Sequence, residues 1–111
     1  MKSYTDLEQS KKLAEILPAD SADMYWRNGV SDKYIQCFTP YIGIDHIDYD
    51  YDVPCWSLAA LLEYLLVNFH QYPINNDGHW ELYDKIGIAT NNDLVDACYE
   101  MILKLHEQGL I

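Results

Sequence analysis

The stretch from Pro54 to Asn68, PCWSLAALLEYLLVN, restricts the folds open to this chain more than any other segment. Read at 3.6 residues per turn, Trp56, Leu58, Ala59, Ala60, Leu61, Leu62, Tyr64, Leu65, Leu66 and Val67 cover nearly the whole circumference of a helix. A helix that is apolar all round has to be covered on most sides. Its apolar run is broken by Glu63 and falls well short of the roughly 20 residues needed to cross a bilayer. The segment therefore predicts a helix over 54–68 at the centre of a globular core. Pro54 suits the first helical turn, where its missing N–H costs nothing, and Asp52 lies near the positive end of the dipole.

Around that helix the chain divides into short elements. Thr5 and Glu8 have capping-box spacing, and Leu7, Leu13, Ala14 and Leu17 supply an apolar side up to the stop at Pro18. Residues 22–27 alternate as a strand, Asn28-Gly29 begins a turn, and residues 34–38 read as the returning strand. Residues 39–53 predict an irregular, partly extended connection. After a turn at Asn75-Asn76-Asp77-Gly78, residues 79–89 read as a strand with Trp80, Leu82, Ile86 and Ile88 in one phase, and Gly87 marks a bulge or close packing. Asn91, Asn92 and Asp93 are N-cap types ahead of a final helix reaching His106. Leu94, Cys98, Met101 and Leu105 form its stripe, Glu100 and Lys104 are spaced for an ion pair, and Gly109 fits the left-handed position beyond its end. With 111 residues, half of them hydrophobic, the expectation is one α+β domain over 1–111. Its order is α-β-β-α-β-α, a small antiparallel sheet packed with three helices.

Charge narrows the function classes. Eighteen Asp and Glu against seven Lys and Arg leave a net charge of −11. This balance opposes direct binding to nucleic acid and to anionic membranes, and favours a basic protein partner. Between Lys33 and Lys85 there is no cation, yet Asp45, Asp48, Asp50, Asp52, Glu63, Asp77, Glu81 and Asp84 all fall there. Cys37, Cys55 and Cys98 are scattered, without a CxxC, as reduced core thiols would be. The N-terminus has no apolar signal-peptide core. The expected setting is soluble and cytoplasmic.

The run Asp45-His46-Ile47-Asp48-Tyr49-Asp50-Tyr51-Asp52 is the most suggestive local feature. If extended, it would project His46, Asp48, Asp50 and Asp52 to one side, a set of ligands for a hard cation. An EF-hand loop started at Asp48 fails, since position 6 is Val53 and position 12 is Ala59. Cys55, in the expected first turn of the middle helix, is a candidate nucleophile if His46 or His79 lies near. His70, His79 and His106 have no metal-ligand spacing, and no phosphate-cradling glycine loop or nucleophile elbow occurs. No cofactor is expected. Ten tyrosines, with Tyr41, Tyr49, Tyr51 and Tyr72 in turn-rich stretches, suit a partner surface equally well as a sealed domain edge.

Three segments carry a resemblance: Ser3 to Ala14, Pro54 to Leu62, and Asp96 to Ile102. Together they resemble a group of small uncharacterised cytosolic proteins of gut Bacteroidetes and their phages or mobile elements. The resemblance implies a bacterial or phage setting and a shared arrangement of helices, and it assigns no activity, cofactor or functional residue.

The leading functional expectation is a non-enzymatic protein-interaction module, an accessory factor of a mobile element. It would act through Asp45, Asp48, Tyr49, Asp50, Tyr51 and Asp52. The alternatives are an anionic DNA mimic that blocks a nuclease or repressor, and a cation-binding or Cys55-dependent enzyme. A homodimer through uncovered aromatic surface also stays open.

Overall fold

The computed structural model describes residues 1–30, 36–84 and 87–111. Within them are helices α1 (Leu7–Ala14), α2 (Leu58–Phe69) and α3 (Leu94–Glu107), with a 3-10 turn at Ala19–Ser21. The strands are β1 (Met24–Val30), β2 (Gln36–Ile42), β3 (Val53–Cys55), β4 (Ile74–Asn76), β5 (His79–Asp84) and β6 (Gly87–Asn91). The class is α+β, and the elements follow roughly the expected order. The strands are divided between two antiparallel three-stranded sheets, β2-β1-β3 and β4-β5-β6, where the sequence had suggested one.

The second sheet is set up at a tight turn between β4 and β5. Asp77 and Gly78 both have positive φ, +51° and +87°, and join β4 to β5 in a two-residue hairpin. A type I′ loop has left-handed backbone at both positions, which Asp-Gly supplies. The expected strand over 79–89 is a second hairpin, with Leu82 opposite Ala89 and Tyr83 opposite Ile88. The antiparallel pairing of β5 with β6 resets the alternation, so Ala89 is buried with Leu82 while Ile88 is half exposed. Gly87 has φ +144°, and no described residue lies within 4 Å of where a Cβ would sit, so its backbone conformation rather than close packing among the described residues accounts for a glycine here. Ile86 and the strand start at residues 34–35 lie outside the described residues.

The middle helix starts later than its sequence suggests. Pro54 and Cys55 belong to β3, an edge strand in which Pro54 lies opposite Tyr25. Proline is tolerated there because an edge strand need not donate on both sides. Ser57 is the N-cap: its Oγ accepts from the Ala60 N–H at 3.2 Å, while its own N–H donates to Asp23 at 2.9 Å and its hydroxyl also meets Asp23. The α1 capping box is likewise displaced by one residue, to Asp6 with Gln9. Thr5 instead enters a buried network, its Oγ1 at 2.8 Å from Ser10 Oγ and accepting from the Trp56 N–H at 3.2 Å. The final helix does carry the expected ending. Gly109, at φ +71°, donates to His106 and Leu110 to Leu105, which closes a Schellman motif.

The core is centred on α3 rather than on α2. Leu94, Val95, Ala97, Cys98, Met101, Ile102 and Leu105 of α3 are all buried, whereas α2 buries only Ala60, Leu61 and Leu65. α3 packs against β5, β6 and α2, so it is covered on two sides by its neighbours. α2 is covered on one, which leaves Leu66 and Val67 exposed at 53% and 66%. Glu100 and Lys104 do not face each other as the spacing suggested. Glu100 accepts from the Asn91 side chain and Lys104 reaches the Ile88 carbonyl.

Buried Met24 and Tyr25 of β1 lie outside the main cluster of core residues. The molecule is correspondingly long, with extents of 48 × 28 × 22 Å and a radius of gyration of 14.8 Å, against about 13 Å for an average compact chain of this length.

Candidate functional site

The acidic run is not an extended strand but a pair of turns tied to the first sheet. Gly43, at φ +86°, leaves β2 and donates its N–H to Asp23 at 2.7 Å. The Asp48 carbonyl accepts from the N–H groups of Tyr51 at 3.0 Å and Asp52 at 2.6 Å. Its side chain also accepts from Asp50 N–H at 3.0 Å, an Asx turn that competes successfully with extended backbone.

Arg27, the only arginine in the chain, holds this loop from β1. Its Nε donates to Asp52 Oδ1 at 3.1 Å and its Nη2 to Asp52 Oδ2 at 2.8 Å, a bidentate pair. The same Nη2 reaches the His46 carbonyl at 3.0 Å, and Asp52 Oδ2 accepts the Asp48 N–H at 2.8 Å. The guanidinium lies 5.1 Å and 5.7 Å from the ring centres of Tyr25 and Tyr41, which stack on each other at 5.3 Å. Arginine is suited to this place because its planar fork pairs with a carboxylate while its face meets aromatic rings.

The expected site residues therefore separate into two groups. Asp45, His46, Asp48, Tyr49, Asp50 and Tyr51 are exposed on the loop, Tyr49 at 57% and Tyr51 at 79%. Asp52 is different: only 2% of its side chain is exposed, and it is the loop's anchor rather than part of its outer surface. The Arg27 guanidinium holds its carboxyl below the usual carboxylate range, with the Asp48 N–H adding to the effect against burial. The turns also break the alignment that would have brought His46, Asp48, Asp50 and Asp52 to one side. Among the described residues, no three His, Cys, Asp or Glu side chains gather as a metal-binding group.

Cys55 is fully buried in β3, not placed in a helical turn as the sequence suggested. Its thiol lies 3.5 Å from Thr5 Oγ1, and burial pushes its pKa up, so it is held as a neutral thiol. Burial pushes the Cys98 thiol up to about 12, with Asp93 adding to the effect. Neither offers the accessible thiolate that nucleophilic chemistry needs. His79 is engaged on β5 by Glu81 at 3.0 Å, beside Tyr83 and Asn76, which also donate to that carboxylate.

The sequence reading does not place Arg27 or Tyr25 at this site, and it marks Tyr41 only as a surface tyrosine, not as a ring stacked beside the arginine. The available signal was compositional: one arginine, on a strand, ahead of a segment rich in Asp and free of cations. No helix among the described residues is long and apolar enough to cross a membrane. Comparison with protein-family models, curated proteins and solved structures finds no match.

Proposed function

We propose that the protein is a non-enzymatic interaction module whose working surface is the loop over 43–52. The observation that carries this reading is the division of labour within the loop. An ion pair between the half-exposed Arg27 and the buried Asp52 fixes its backbone, while Asp45, Asp48, Tyr49, Asp50 and Tyr51 face outward. Anchoring the loop in advance lowers the ordering cost of association, and tyrosines provide contact area with few rotatable bonds. The chain's net charge of −11 favours a basic partner and accelerates its encounter. Ile42, 91% exposed where β2 enters the loop, adds apolar area beside the charges.

The test is affinity capture of basic proteins, compared between the wild type and a variant carrying Asp45→Asn, Asp48→Asn, Asp50→Asn, Tyr49→Ser and Tyr51→Ser. Asparagine at position 48 keeps the Asx-turn acceptor, and Asp52 is left intact to preserve the anchor. The expected result is a salt-sensitive partner retained by the wild type and lost by the variant. Equal capture by both proteins overturns the reading.

A further inference from the structure

A second surface, built from other elements, carries its own chemistry. The turn Ala19–Ser21 and the outward side of α2 border an open cavity of about 240 Å³, lined by Asp20, Ser21, Glu63, Tyr64, Val67 and Asn68 among others. Asp20 and Glu63 are exposed carboxylates on two different elements, and neither has an ion-pair or hydrogen-bond partner among the described residues. No lysine or arginine lines the cavity.

Both walls are fixed. Ser21 Oγ accepts from Trp56 Nε1 at 2.9 Å, and Trp56 is fully buried, so the turn that carries Asp20 is tied to the core. Glu63, Tyr64, Val67 and Asn68 stand on consecutive turns of α2. Leu66 and Val67 extend the outward side of the helix as uncovered apolar area.

We propose that this cavity docks an arginine side chain of a partner protein, with aliphatic residues flanking that arginine covering Leu66 and Val67. Charge complementarity selects the occupant. Two unpaired carboxylates on separate walls suit a planar, multi-donor cation, and a guanidinium is less strongly hydrated than an ammonium and leaves water at smaller cost. Tyr64 also lines the cavity. A second copy of this chain is a poor occupant. Its one arginine is already held by Asp52, and an antiparallel α2–α2 contact centred here would bring one Glu63 towards the other.

The site is tested with the blocked tripeptides acetyl-Leu-Arg-Leu-amide, acetyl-Leu-Lys-Leu-amide and acetyl-Leu-Gln-Leu-amide, titrated into the labelled full-length protein and followed by amide NMR shifts. The arginine peptide is expected to shift Ser21, Tyr64, Val67 and Asn68 saturably. Its affinity is expected to fall about tenfold or more in an Asp20→Asn, Glu63→Gln variant, since charge-assisted bonds are lost. Both positions are exposed, and the variant's own spectrum reports whether its fold is retained. Shifts confined to other residues, or an affinity unchanged in the variant, overturn the proposal. Equal binding of the glutamine peptide shows apolar contact alone and overturns it as well, and equal binding of the lysine peptide overturns the choice of a guanidinium. The 43–52 loop is untouched throughout, so failure here leaves the reading of that loop standing.

Discussion

Arg27 and Asp52 show how much one residue pair decides. Asp52 is almost wholly enclosed and Arg27 is partly exposed, so removing the arginine leaves an uncompensated carboxylate in a place water barely reaches. We expect Arg27→Met, which keeps the apolar stem, to lower the urea midpoint of unfolding, because the enclosed Asp52 carboxylate loses its partner. The pH dependence has a definite sign. Arg27 holds the folded-state carboxyl of Asp52 below its ordinary value, so on acidification the unfolded chain takes up the proton first. The stabilisation is complete above the unfolded carboxylate value, about 4, and is lost as pH falls through the folded one. Tyr83, then His79 and Asn76, also hold the Glu81 carboxyl down against burial, so its contribution has the same sign. Comparing acid unfolding of the wild type and Arg27→Met isolates the Asp52 part, and the variant should lose less stability between pH 5 and pH 2. Nothing local in the sequence joins positions 27 and 52, because the pairing depends on β1 and β3 lying side by side.

Helix and strand boundaries, at the scale of elements, were legible where a side chain completes its job within one turn. Asp93, one of three adjacent N-cap candidates, caps α3, and Gly109 ends it at the position its residue type suggested. Boundaries shifted where tertiary contacts competed. Thr5 had the spacing for a cap, but the buried network with Ser10 and Trp56 took its hydroxyl and left the cap to Asp6. Pro54 had the signature of a first helical turn, but pairing with β1 drew residues 53–55 into a sheet. Ser57 then became decisive, because it caps α2 and meets Asp23 from the end of the preceding connection. Ser57→Ala is expected to cost about 1–2 kcal/mol, at or above the usual loss of an N-cap, read from thermal unfolding. A loss of only a few tenths would show that Asp23 and the backbone hold the helix start without the hydroxyl.

For the whole molecule, the acidic surface is a collective property with a collective consequence. The surface ion pairs, such as Lys11 with Glu8 and Lys12 with Glu15, are exposed and contribute little. Self-repulsion among the excess carboxylates therefore dominates. Raising salt from about 0.01 M to about 1 M shortens the screening length from about 30 Å to about 3 Å. At neutral pH this is expected to raise Tm by about 3–5 °C, corresponding to relief of about 1 kcal/mol. A fall in Tm would mean that specific pairs outweigh the net repulsion. The same screening should weaken capture of a basic partner, so stability and binding are expected to respond to salt in opposite directions.

Residue type and spacing by themselves determined the α+β class, the rough order of elements and the presence of an exposed acidic, tyrosine-rich segment. These follow from periodicity, local hydrogen bonding and net charge, which act over a few residues or over the entire surface. Tertiary structure alone decided that the strands form two sheets, that α3 takes the centre while α2 keeps one side bare, and that Asp52 turns inward to Arg27. Each of these depends on which elements become neighbours, since burial and ion pairing are set by groups brought together from distant parts of the chain.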